Sequence, residues 1–241
     1  VNFPDIQEPE WNPTTVEGVF LGRKLYYDNI LSMNGLSCSS CHLQSLSFMN
    51  PNTSPNGMEI LPHVNLAWNS SYGWTGGTVA LDSVAFADLE EGNIFLNANN
   101  DSIRERLKNH AEYPQLFFDA FGIDIAEVTQ GERQKYISYS LAQFLRTMIS
   151  SNSRFDRYLR GENTLTAQEL GGFSIFMQED KGDCFHCHGD ANNPLWSDNS
   201  FHNNGLNATH SGEDMGRYHV TGNTIDIGKF KTPTLRNIEL T

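Results

Sequence analysis

Cysteine is scarce, with four residues in a chain of 241. Long apolar runs are missing too. None approaches the roughly 20 consecutive apolar residues of a membrane-spanning helix, so no such span is expected. Basic residues are outnumbered, 16 Lys and Arg against 29 Asp and Glu, for a net charge of -13. Nucleic-acid phosphates would be repelled by that surface, which excludes nucleic acid as a partner. An acidic surface suits solubility or a basic partner. Period-two alternation is also lacking over any six residues, which argues against a sheet-based fold. The opening VNFPDIQEPEW has neither a basic start nor an apolar stretch, and reads as a processed, mature N-terminus.

What cysteine there is falls into one pattern. The four form two pairs of equal spacing, each followed at once by histidine: CSSCH at 38–42 and CFHCH at 184–188. Two cysteines three apart share one side of a helical turn, so both thiols can add to the two vinyl groups of one porphyrin. The next histidine then reaches the iron from the same face. A zinc site or a CxxC redox pair would also use paired cysteines. Neither explains a histidine next to each pair. The reading is therefore two covalently attached c-type haems, on Cys38, Cys41 and His42 and on Cys184, Cys187 and His188. Such haems are joined to their thiols outside the cytoplasm, which predicts the periplasm or the outer cell surface.

The rest of the chain reads as helices and long polar loops. Thr14 with Glu17 makes a capping box, followed by Val16, Val19, Phe20, Lys24 and Tyr27 at helical spacing. Asp101 caps a short helix through His110. Thr129 with Glu132 opens a helix whose stripe is Ile137, Leu141, Phe144, Leu145 and Met148. Thr166 with Glu169 opens another, with Leu170, Phe173 and Phe176–Met177 apolar. Asn, Gly and Pro dominate 50–78 and 189–224, which read as ordered loops. The expected architecture is all-α with two haem-bearing helical lobes, residues 1–160 and 161–241, divided near Gly161–Asn163.

The stretches EGVFLGRKLYYDNILSMNGLSCSSCH, NLAWNSSYGW, SRFDRYLRGENTLTAQELGGFSIF, GDCFHCHGD, SDNSFHNNGL and GKFKTPTLRNIELT resemble the bacterial dihaem cytochrome c peroxidases and MauG-like enzymes, in the family's order. The resemblance implies two cytochrome c-like domains with a calcium ion between them, a peroxidatic first haem and an electron-accepting second one. It places Trp74 as the tryptophan on the electron path. It gives Glu59, with backbone carbonyls from about Thr241 onward, as calcium ligands. It also implies hydrogen peroxide as substrate and a small cytochrome c or cupredoxin as electron donor. A homodimer is one assembly open to the chain; the sequence does not give the oligomeric state. The family continues beyond the position of Thr241, so the resemblance points to a longer polypeptide.

The sequence departs from the family where the acid–base chemistry lies. The family's distal Gln and Glu fall, in ungapped register, on Val84 and Ile94, neither of which moves a proton. Glu90 and Glu91 are the substitutes if the loop is shifted, with Asp82 and Asp88 behind them. No histidine in 48–60 matches the family's sixth ligand, which implies an open first haem; His63 is nearby, read as a surface or outer-shell residue. For the second haem Met215 is the substitute sixth ligand, with His202, His210 and His219 as alternatives. Three functions stay open: peroxide reduction, MauG-like oxidation of a partner protein, and electron transfer without peroxide chemistry.

Overall fold

A computed structural model describes residues 3–53, 58–89, 95 and 100–240, with the side chains at 51–53, 87 and 100 excepted. The chain divides into two compact units. The first comprises residues Ile6–Ala67 and Thr78–Met148, and the second residues 3–5, Trp68–Gly77 and Ile149–Leu240. One cut near residue 160 does not describe this division. The second unit already begins at Ile149 because Asp156, just beyond it, is locked to Arg236 near the far end of the chain. The segment carrying Trp74 joins that unit through Lys231, whose N–H donates to the Trp74 carbonyl (2.8 Å) and whose Nζ donates to that of Ser71 (2.9 Å).

The first unit holds α1 (Val16–Tyr27), α2 (Cys38–Cys41), α3 (Phe86–Leu89), α4 (Asn100–Asn109), α5 (Tyr113–Phe121) and α6 (Gln130–Arg146), with a ribbon of β1 (Asn50–Thr53) against β2 (Glu59–Ile60). The Thr129–Glu132 capping box opens α6 as the spacing predicts, and Ile137, Leu141, Phe144 and Leu145 are buried along it. Helix α1 departs from its sequence reading. Its cap is Thr15, one residue later than expected, and its buried face is Gly18, Leu21, Gly22, Leu25 and Tyr26. Val16 and Phe20, from the expected stripe, stand exposed. The two glycines explain the choice of face. A Cβ at Gly18 would run into the Gln143 side chain and one at Gly22 into the Ser140 carbonyl, so α1 lies against an α6 side chain at Gly18 and against the α6 backbone at Gly22.

A buried polar network closes this unit. Arg146 Nη2 grips both oxygens of Asp82 (2.8 and 3.0 Å), and its Nη1 donates to the Asn12 carbonyl (2.9 Å). Asn12 is tied in turn to Asp82 and to Gln143 Nε2. Each charge thus keeps a partner away from water, the condition for burying it. Asp82 is therefore committed to structure, which removes it as a proton carrier.

The second unit holds α7 (Arg154–Leu159), α8 (Ala167–Phe176), α9 (Phe185–His188) and α10 (Tyr218–Thr221), with β3 (Phe201–His202) paired to β4 (Phe230–Lys231). The Thr166–Glu169 box opens α8 as predicted. Phe155 packs edge-on against Phe173 and Trp196, with ring centroids at 5.2 and 5.4 Å. Arg236 meets Asp156 through two bonds of 2.9 Å each. Burial alone would raise the Asp156 carboxyl; the Arg236 fork and the Ser153 bonds pull it down to about 2.

Candidate haem sites

Each CxxCH motif lies on a single helical turn, and none of the four thiols is in a disulfide. In the first unit Ser37 caps α2, and its side chain and that of Ser40 close a reciprocal box. Burial, reinforced by the carboxyl of Asp88, pushes the Cys38 thiol up to about 12 and raises Cys41 for the same reasons. A thiol held neutral in this way is a poor zinc ligand and a poor redox nucleophile. In the second unit burial likewise raises Cys187. Gly189 then turns the chain at φ 75°, where a Cβ would strike the Asn193 side chain.

The two histidines are oriented by the same device. His42 Nδ1 bonds the Phe48 carbonyl at 3.0 Å, and His188 Nδ1 bonds the Trp196 carbonyl at 3.0 Å. Both acceptors sit in left-handed backbone, Phe48 at φ 61° and Trp196 at φ 53°. That conformation costs an ordinary residue on the order of 1 kcal/mol, and such strain gathers at functional sites. With Nδ1 donating, Nε2 keeps the lone pair for iron. Burial lowers His42 to about 4, outweighing the upward pull of the Phe48 and Leu61 carbonyls. At neutral pH it is the uncharged imidazole that a metal requires. Two adjacent thiols and an oriented, neutral histidine suit covalent haem attachment.

A second ring stands on His42. His63 stacks on His42 with centroids 3.4 Å apart and planes 16° from parallel, and its Nδ1 pairs with the hydroxyl of the buried Tyr26 at 3.2 Å. His63, read from sequence as a surface or outer-shell residue, is half-buried against His42.

The family relationship follows from the chain as a whole. Residues 16–164 match the family model described as di-haem cytochrome c peroxidase. The chain belongs to that family. It is 33% identical to the methylamine utilization protein MauG of Methylorubrum extorquens, covering 98% of this chain and 66% of that protein. Against the cytochrome c551 peroxidase of Nitrosomonas europaea it is 32% identical, over 95% of this chain and 68% of the relative. The chain thus spans about two thirds of the length of these relatives. A crystal structure of a MauG-like protein associated with microbial copper homeostasis superposes at a TM-score of 0.84 with 30% identity, covering 99% of this chain and 74% of that one. The dihaem peroxidase BthA of Burkholderia thailandensis shares the fold, at a TM-score of 0.78 with 18% identity over 94% of this chain and 67% of that one.

The remaining candidates are scattered. Glu90, Glu91, Ile94 and Thr241 lie outside the described residues. Val84 ends a short 3₁₀ turn after Ser83, with its N–H donating to Leu81. Glu59 stands exposed on β2, and no group of three or more His, Cys, Asp or Glu side chains gathers as a metal site among the described residues. Met215 is half-buried, its carbonyl accepting from Gly228. His202 pairs with Asp198, His210 with Asp214 and Asn203, and His219 with the Gly212 carbonyl. Asp88, ranked low from sequence, is a carboxylate whose charge reaches the first motif. It lies on α3, half-buried, near enough to Cys38 and Cys41 to act on both thiols, and burial raises it to about 6. No helix among the described residues is long and apolar enough to cross a membrane.

Proposed function

We propose that the chain reduces hydrogen peroxide to water, taking electrons one at a time from a small cytochrome c or a cupredoxin. The observation that carries this reading is the matched pair of CxxCH turns, each with its histidine Nδ1 bonded to a backbone carbonyl, in a chain of the dihaem peroxidase family. Haem iron, when bound, supplies the electrons and the coordination site that peroxide reduction needs. His42 and His188 hold the two irons, and the four cysteines hold the porphyrins. Trp74 is the residue assigned to the electron path. One peroxide takes up two electrons and two protons and leaves as two waters.

The protons need a carrier, and Asp88 is the described carboxyl that suits it: its charge reaches Cys38 and Cys41, and burial raises it to about 6, close to neutral pH, where a general acid–base group works best. Glu90 and Glu91 are the competing carriers. The localisation that follows from covalent haem is periplasmic or at the outer cell surface. A calcium ion bound through Glu59 and a homodimeric assembly complete the reading.

Steady-state turnover tests it. The holoprotein, given hydrogen peroxide and a reduced small cytochrome c, should oxidise two donors per peroxide. A MauG-type role is the second reading, favoured by the 33% identity to the Methylorubrum protein. In that case small donors are not turned over, and a partner protein is oxidised instead.

A further inference from the structure

The two candidate haem sites share one device and differ in one contact. In each unit a CxxCH histidine donates to the carbonyl of a left-handed aromatic, Phe48 in the first and Trp196 in the second. In the first unit a second imidazole, His63, stacks on that histidine. Among the described residues no ring stacks on His188.

The imidazole is held on both sides. The Phe48 carbonyl accepts from His42 Nδ1 at 3.0 Å and from the His63 backbone N–H at 3.1 Å, so one oxygen fixes both residues. The His63 ring lies over the His42 ring at 3.4 Å and 16°. Its far side is tethered by the Tyr26 hydroxyl at 3.2 Å, and Tyr26 is itself wedged edge-on against Phe144 and Phe48, at 5.3 and 6.3 Å. A ring bonded to iron through Nε2 and to a carbonyl through Nδ1 can still rock about the line joining those two bonds. A parallel ring at van der Waals distance blocks that rocking. Outer-shell partners of this kind tune a metal through the orientation and basicity of its ligand.

We infer that His63 is a positioning residue for the first haem, its ring, stacked on His42 and anchored by Tyr26, fixing the orientation of the proximal imidazole and so setting that haem apart from the second. The inference rests on the dihaem reading.

Three variants of the holoprotein test it: His63→Leu, which removes the stacking ring; His63→Phe, which keeps one; and Tyr26→Phe, which removes only the anchoring hydroxyl. Haem content comes first, from pyridine haemochrome absorbance. The readouts are then the electron paramagnetic resonance g-values and the midpoint potential of each haem. In His63→Leu one haem signal should shift in both, the other staying at its wild-type values, with kcat/KM for peroxide lower by roughly 10-fold. His63→Phe should return the g-values towards wild type. Tyr26→Phe should move them in the same direction as His63→Leu, and it carries the test should His63→Leu fail to fold. Two haems with unchanged signals in His63→Leu and Tyr26→Phe overturn the inference alone, as does a His63→Phe protein as perturbed as His63→Leu. A wild-type chain with fewer than two haems overturns the dihaem reading and the inference with it.

Discussion

The proposed role of Asp88 rests on what burial does to a common side chain. An exposed aspartate titrates near 4 and is fully ionised at neutral pH; burial lifts this one to about 6. Above that value its carboxylate can accept the proton of an incoming peroxide; below it the group is already protonated. The rate of reaction with peroxide should therefore fall as pH drops through about 6. Asp88→Asn should lower kcat/KM by roughly 100-fold, within the range general acid–base groups supply, and flatten that pH profile; a single-turnover pH series checks both. The same shift carries a stability cost of known sign. A raised carboxyl pKa contributes stability that is full below the unfolded value and lost as pH rises through 6. Asp88→Asn should thus raise Tm at pH 7 to 8 and leave it little changed at pH 4. A wild-type rate that is flat from pH 5 to 8 would shift the assignment to Glu90 or Glu91. Sequence alone ranked Asp88 low, because register against the family points to Val84 and Ile94, while burial is a property of the fold.

At the level of elements, the local signals were legible and the packing signals were not. The boxes at Thr129–Glu132 and Thr166–Glu169 are contacts three residues apart, so they read directly from the chain. The two CxxCH turns read for the same reason. Helix α1 misled because its true contact face is marked by glycine, which carries no hydropathy; Gly18 and Gly22 matter only once α6 lies against them. Gly22→Ala should cost about 1–3 kcal/mol through overpacking at that crossing, measurable as a fall in the urea midpoint. Distant pairing was equally hidden. Asp156 and Arg236 are 80 residues apart in the chain, and nothing in either local sequence announces the bond. Asp156→Ala leaves a buried guanidinium unpaired and should cost about 3–5 kcal/mol. With the Asp156 carboxyl lowered to about 2, its contribution is present above about pH 4, the ordinary carboxylate range, and is lost as pH falls towards 2. An acid unfolding midpoint that Asp156→Asn leaves in place would contradict that assignment. The His63–His42 stack was illegible on the same grounds, since it depends on left-handed backbone at Ser47 and Phe48.

Over the whole molecule, two units carry one CxxCH site each, and the chain returns to the second unit through Trp68–Gly77. With a net charge of -13, a basic cytochrome donor of the kind proposed would be attracted over a Debye length of about 10 Å at 0.1 M salt, and that attraction would fade as salt rises. Turnover with a basic donor should weaken between 20 and 300 mM salt, chiefly through KM, while turnover with an acidic donor should not. The measurement that tests the account most directly is stopped-flow absorbance of the half-reduced holoprotein mixed with a small excess of hydrogen peroxide. The account predicts rapid bleaching or a shift of the Soret band, reversed on adding reduced donor cytochrome. No spectral change in the half-reduced or the fully oxidised protein would contradict it and leave a dihaem electron carrier in its place.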